Sequence, residues 1–415
     1  MIQNGAYQLA TVHKLAFNRQ GGTEDERRAA QIIREEIASF GGTSSLEPFQ
    51  IPHYDVKKVS LKVTKPFDRE LQVHGVGFTG STPEEGIEAE LYYAEDASDM
   101  KLKNAAGKIL LLNEGIYGRW QEIVNSGAVG YIIISGEFCD DPERVDLPRP
   151  RLRKRLTEKG TIPGVVIRTR DAMEILKDGA THVHFTVVQE ESEAESGNVV
   201  SEIKGSKETE EFILLTAHYD SVPYSIGAWD NASGSADLLA LYAYFTENPP
   251  PVTMRFVWLG SEELGLLGSK WYVAAHGDEL KQCRLNLNLD MTGVVIGHDE
   301  TDIIAEESLE HMVQYLAREV GFDTACKRIV RSSDCAVFAD AGIPAIDFVR
   351  RGKGMVHNRY DLEFPLSEET FARTQTFMRQ FLCRVMNSVE FPIPRVIPQD
   401  MRELLDRYFA RVPNK

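Results

Sequence analysis

No run of the sequence approaches the ~18 consecutive apolar residues that a membrane-spanning helix requires. The opening residues, MIQNGAYQLATVHKLAF, also lack the apolar segment of a secretory signal. Cysteine is scarce: five residues (Cys139, Cys283, Cys326, Cys335, Cys383) stand far apart with no C-x-x-C pair. An odd, scattered set argues against a disulfide framework and points to reduced thiols in a cytoplasmic protein. Positive charge is also in short supply, with 46 Lys plus Arg against 63 Asp plus Glu and a formal net charge of -17. An acidic surface repels phosphate backbones and anionic lipid, which argues against nucleic-acid and membrane partners. There is no internal repeat. What is present is ordinary for a globular protein, 42% hydrophobic and 26% charged residues. A chain of 415 residues exceeds one ordinary core and predicts two domains.

The first element is a helix. Thr23 followed by Glu26 matches a capping box, in which each side chain satisfies a free N–H of the first turn. Ala29, Ile32, Ile33, Ile37 and Phe40 then repeat at helical spacing until Gly41-Gly42. From about residue 52 the texture changes to short strand-like runs (VKKVSLKV, GIEAELYYA, GKILLLN, GYIIISG, GVVIRT, THVHFTVV). Helical character there is confined to two pieces, near 120–125 and 170–177. The stretch QEESEAESG, 189–197, is charged and poor in apolar residues, and reads as a linker. The predicted organisation is therefore residues 1–51 as the start of the main domain, 52–190 as a β-rich insert and 191–390 as the rest of the main domain. Residues 391–415 form a tail ending in an amphipathic helix. In the main domain the apolar strands FILLTA, TMRFVWL, LNLNLD and IPAIDFV alternate with helices near 232–246, 262–275, 306–320 and 367–388. That alternation predicts the α/β class, with a mostly parallel sheet sandwiched by helices.

Three of these strands run into residues with metal-ligating chemistry. FILLTA leads to His218-Tyr219-Asp220, TMRFVWL to Gly260-Ser261-Glu262-Glu263, and LNLNLD ends at Asp290. The loop after IPAIDFV carries His357, and Asp230 stands just before Asn231 and the small residues that open a helix. Open α/β sheets build their sites outside the carboxyl ends of the strands, so topology alone sends these residues to one edge. His and carboxylate donors suit zinc. Co-catalytic metals lie roughly 3.5–4 Å apart, a gap that one carboxylate spans with its two oxygens, and Asp230 at its glycine-rich bend is the natural bridge. Taken singly, each residue has a plainer reading: H-x-D is ordinarily structural, paired glutamates start solvated helices, Asp caps loops and helices, and a histidine in a polar loop is exposed. All of these plain readings together would leave acids bunched without counter-charge.

The ordered motifs TAHYDS, AWDNASG, GSEELGLLGS, NLDMTG and MVHNRYD resemble the bridged-dizinc aminopeptidase and glutamate carboxypeptidase family of zinc exopeptidases, which includes aminopeptidase Y. The resemblance covers the helix at 23–41 and nearly all of 198–388. Residues 52–190 resemble a protease-associated domain through GKILLLN, NSGAVGYIIIS and IPGVVI. The resemblance implies a phosphorylase/hydrolase-like fold and two zinc ions per chain. His218 and Asp290 would hold one ion, Glu263 and His357 the other, and Asp230 both. It further implies that Asp220 orients His218 through its second ring nitrogen, that Glu262 is the general base, and that the Asp230-Asn231 peptide is cis.

Two residues depart from the family pattern. Val356 replaces the tyrosine that commonly precedes the last histidine and polarises the substrate carbonyl, leaving Tyr360 and Tyr224 as candidate donors. Ser333-Asp334 is followed by Cys335, where Ser-Asp-His is common. Met291, after a ligand, is a candidate for the side-chain pocket. The leading reading is an aminopeptidase acting on peptides. A carboxypeptidase or dipeptidase would need a cation for the substrate carboxylate, for which Arg350, Arg351 and Arg359 are candidates. A single-zinc glutaminyl cyclase usually lacks the first histidine, and a non-catalytic binding protein would not retain all five donors and Glu262. The quaternary state, including a homodimer, stays open.

Overall fold

A computed structural model describes residues 5–411. The chain divides into two compact units, one formed by Met1–Ile51 with Ala194–Lys415 and the other by Pro52–Glu193.

In the first unit, α1 (Ala6–Leu15) and α2 (Glu24–Ser39) precede β1 (Phe212–His218), α3 (Gly234–Glu247), β2 (Thr253–Leu259), α4 (Leu267–His276) and β3 (Cys283–Leu289). There follow β4 (Gly297–Ile304), α5 (Glu307–Val320), β5 (Thr324–Arg328), α6 (Asp334–Asp340), β6 (Ala345–Gly352), α7 (Glu368–Met386) and α8 (Gln399–Tyr408). The strands lie in the order β5-β4-β6-β3-β1-β2, and Val199–Ile203 of the strand His182–Ile203 add to the far side of β2. The pairs β1–β2, β1–β3, β3–β6 and β4–β5 are parallel, whereas β4–β6 is antiparallel. Every residue of β1 is buried, as a strand covered on both faces should be. Its side chains alternate between two cores. Ile213 and Leu215 join one cluster with Leu239, Phe256 and Phe381, while Phe212 and Leu214 join Tyr272 and Phe338 on the other face. α3 is buried nearly all round, which its run of Gly, Ser, Ala and Leu permits against the sheet. Thr23 caps α2 by accepting the Glu26 N–H, but Glu26 does not complete the box: its carboxylate turns to Gly22 N–H and two serines instead.

The second unit contains both expected helical pieces, Trp120–Asn125 and Thr169–Lys177, and adds two short helices to them. Strands Ile87–Glu95, Ile109–Leu112, Gly130–Ser135 and Gly164–Arg168 are consecutive and parallel. Helices Asp99–Leu102, Trp120–Asn125, Lys154–Thr157 and Thr169–Lys177 occupy the connections. Two of these helices span only four residues each, too short for a helical period to show. The expected linker at 189–197 is corrected, because it lies inside the strand His182–Ile203. Its backbone belongs to a strand while the Glu190, Glu191, Glu193 and Glu195 side chains stay exposed, so composition alone misleads there.

Candidate metal centre

All five candidate donors meet at the carboxyl edge of the first unit's sheet. His218 ends β1, Glu263 follows β2, Asp290 follows β3, and His357 lies in the loop after β6. Asp230 sits in the irregular turn Ala228–Ser233 ahead of α3, and the Asp230-Asn231 peptide is cis. Two trios have donor atoms within 4.8 Å of one another: His218, Asp230 and Asp290, and Asp230, Glu263 and His357. Asp230 belongs to both and divides its oxygens between them. Its Oδ1 is 3.2 Å from His218 Nε2, and its Oδ2 is 3.0 Å from His357 Nε2. His218 Nε2 is 3.6 Å from Asp290 Oδ1, and His357 Nε2 is 3.4 Å from Glu263 Oε2. Donors bound at ~2.0–2.2 Å to a tetrahedral zinc stand roughly 3.3 Å apart, so these spacings fit the ion.

The electrostatics fit a cation as well. Buried Glu263 Oε1 and Asp290 Oδ1 have no hydrogen-bond partner. Burial pushes the Glu262 and Glu263 carboxyls well above their ordinary range, and neighbouring acids add to the shift. For Asp230 burial acts upward too, but His218 and His357 outweigh it and hold the carboxylate below its usual range. Burial opposes charge on His218, yet Asp220, Asp230 and Asp290 raise it well above an ordinary histidine. Divalent cations would supply the counter-charge this cluster of acids lacks.

Neighbouring loops fix the donors. Asn231 donates to Leu289 O (2.8 Å) and accepts from Met291 N–H (3.0 Å), and Ser233 Oγ accepts from Thr292 N–H (2.9 Å). The Asp230 and Asp290 segments are thereby tied together. Asp361 accepts the N–H groups of Trp229 (2.7 Å) and Asp230 (3.1 Å), and burial pushes its carboxyl up to about 7. Asp361 closes the MVHNRYD motif, but the sequence assigned it no role. Asp220 faces the second ring nitrogen of His218, as the resemblance implies, and also reaches the glutamate pair. Its carboxylate receives the N–H groups of Glu262 (2.9 Å) and Glu263 (3.1 Å), while His218 Nδ1 lies 3.4 Å away without a hydrogen bond. Asp220 therefore orients the glutamate pair more directly than the histidine.

Glu262 is half-buried and belongs to neither donor trio. Asp334, to which the sequence assigned no role, is buried at the start of α6; burial pushes its carboxyl up to about 7, with Asp290 and Asp220 contributing. Met291 and Tyr224 are half-buried at φ 62 and 68, and Tyr360 is half-buried with its N–H on Asn358 Oδ1. Five described non-glycine residues in the left-handed region, Tyr224, Ser261, Leu266, Met291 and His357, belong to these site loops, where strain is commonly concentrated at functional residues. Two candidate cations are committed elsewhere. Buried Arg350 donates to Val295 O, Gly297 O and Asp299, and Arg351 pairs with Glu300 and Asp302.

Residues 198–382 match the model of peptidase family M28. Aminopeptidase YwaD of Bacillus subtilis (strain 168) is 28% identical over 346 residues, covering 80% of this chain and 72% of the relative. Carboxypeptidase Q of Bos taurus is 27% identical over 333 residues, covering 74% and 70%. Among solved structures, the zinc aminopeptidase BSAP from Bacillus subtilis superposes with a TM-score of 0.80 at 23% identity, covering 95% of this chain and 99% of that one. Over residues 198–382 the chain resembles peptidase family M28, and its relatives point to a metallo-exopeptidase, a hydrolase of peptide bonds.

Proposed function

We propose that this protein is an aminopeptidase that binds two zinc ions through His218, Asp230, Asp290, Glu263 and His357, and hydrolyses the first peptide bond of peptides with a free amino terminus. The observation that carries the reading is the division of Asp230, one oxygen facing His218 and the other facing His357. Zinc, when bound, supplies Lewis acidity and brings the pKa of water from 15.7 toward ~7. Glu262, adjoining a ligand but outside both trios, would take the proton from the attacking water and return it to the leaving amine. Asp220 holds the N–H groups on either side of this base and so fixes its approach. The acidic surroundings favour a substrate ammonium over a substrate carboxylate.

The carboxypeptidase reading draws on the name carboxypeptidase Q, which several relatives carry, but Arg350 and Arg351 are already engaged by backbone and acids. Turnover of aminoacyl-nitroanilides with rejection of N-blocked dipeptides supports the aminopeptidase; hydrolysis of blocked substrates alone overturns it. The unit Pro52–Glu193 is assigned as a protease-associated domain. No helix of the described residues is long and apolar enough to cross a membrane. A cytoplasmic location is proposed because all five cysteines are free. Unchanged thiol counts with and without reductant are expected, and a count that rises on reduction would oppose it.

A further inference from the structure

The segment 19–26 lies ahead of the inserted unit and outside the residues matched by the family model, yet it reaches the loops that carry the site. Arg19 is fully buried. Its guanidinium donates to Tyr219 O and Ile226 O, and to Gly227 O at 2.7 Å, at both ends of the loop joining β1 to Asp230. Seven residues on, Glu26 is 1% exposed and holds the other loop. Its Oε1 accepts from Ser196 Oγ (2.8 Å) and Ser261 Oγ (3.1 Å), its Oε2 accepts from Gly22 N–H (2.6 Å), and Ser261 Oγ also lies 2.8 Å from Ser196 Oγ. One carboxylate thus joins the chain before the insert, the chain after it, and the residue next to Glu262.

Ser261 needs such an anchor, since it is a non-glycine residue at φ 55. The space around it is built for close approach. A Cβ on Gly21 would stand 2.4 Å from Ser261 Oγ, and one on Gly260 would stand 2.9 Å from Glu26 Oε1. Helix capping does not explain Glu26, because Thr23 Oγ1 accepts the Glu26 N–H while the Glu26 carboxylate faces the serines.

We infer that Glu26 is a positioning residue, which holds Ser261 in its left-handed conformation and thereby sets Glu262 and Glu263 against the reacting centre. The inference rests on the exopeptidase reading for its kinetic arm. In Glu26→Gln the amide either sets its hydrogens against the Gly22 N–H or gives up its acceptor toward Ser196 and Ser261, so at least one accepted hydrogen bond of the anchor is lost with the side chain's shape retained. The experiment compares Glu26→Gln, Glu26→Ala, Ser261→Ala and the double variant Glu26→Gln/Ser261→Ala at saturating zinc, with kcat and KM normalised to folded protein. Each single substitution is expected to lower kcat at least about tenfold with KM within about twofold, as for other outer supports of metal sites. The double variant should be no slower than the slower single, because both changes cut one connection. Wild-type kcat in folded Glu26→Gln, or losses that multiply in the double, would overturn the inference. If the unmodified protein hydrolyses no peptide, the exopeptidase reading fails separately, and chelator competition for zinc then decides. Affinity about tenfold weaker in Glu26→Gln supports the inference and unchanged affinity overturns it.

Discussion

Glu262 and Glu263 are neighbours in sequence with different tasks. Glu263 shares a trio with Asp230 and His357, whereas Glu262 stands outside both. Glu262→Gln removes the proton acceptor while leaving every donor in place. Turnover should fall by at least about a hundredfold with zinc content unchanged, read by steady-state kinetics and elemental analysis of one sample. A different buried acid carries a stability cost. Asp237 is fully buried, accepts from Gln8 and Gln375, and is pushed up to about 7 by burial. A carboxyl raised in the folded state contributes stability that is complete below its unfolded pKa, near 4, and is lost as pH climbs to about 7. Asp237→Asn removes that loss, so the variant should gain on the wild type by up to about 1.4 kcal/mol per pH unit between pH ~4 and ~7, then hold constant. Urea midpoints at pH 5 and 7.5 would show it; a gap independent of pH would contradict it. The five donors were legible in the sequence because each stands at a strand end or beside a glycine-rich bend. Asp361, Asp334 and Glu26 were not, since their roles depend on backbone N–H groups and hydroxyls that only folding brings near.

At the scale of elements, the strands FILLTA, TMRFVWL and LNLNLD and the four main helices were readable because buried parallel strands are continuous apolar runs. β4 and β5 were missed for the opposite reason. GHDETDII and TACKR carry Asp299, Glu300, Asp302 and Lys327, and the acids among them are neutralised in the sheet by Arg350, Arg331, Lys327 and Arg351, so their sequence looks like loop. The start of α3 depends on having no side chain. A Cβ on Gly234 would stand 2.3 Å from Leu289 O and 2.4 Å from Asn231 Oδ1, the contacts that tie the Asp230 turn to β3. Gly234→Ala should therefore cost roughly 1–3 kcal/mol and weaken zinc binding, read as a lower unfolding midpoint and easier loss of metal to chelator. A wild-type midpoint would show that the turn yields without consequence.

For the whole molecule, acidity and metal binding are linked. A chain of net charge -17 that also gathers Asp230, Glu263 and Asp290 at one sheet edge gains stability from any cation that binds the fold and not the unfolded chain. Chelation should lower the unfolding temperature, and zinc should restore it; at a hundred times its dissociation constant a single ion contributes about 2.7 kcal/mol. The organisation into an interrupted main domain and an insert followed from the change in texture near residue 52. Two helices of the inserted unit, Asp99–Leu102 and Lys154–Thr157, did not, being too short to display a period. The most direct measurement is the zinc stoichiometry of the purified chain beside that of Asp230→Ala. Two zinc ions per wild-type chain and near-complete loss of both in the variant are expected, because a single carboxylate serves the two trios. One ion in the wild type, or two retained without Asp230, would contradict the account.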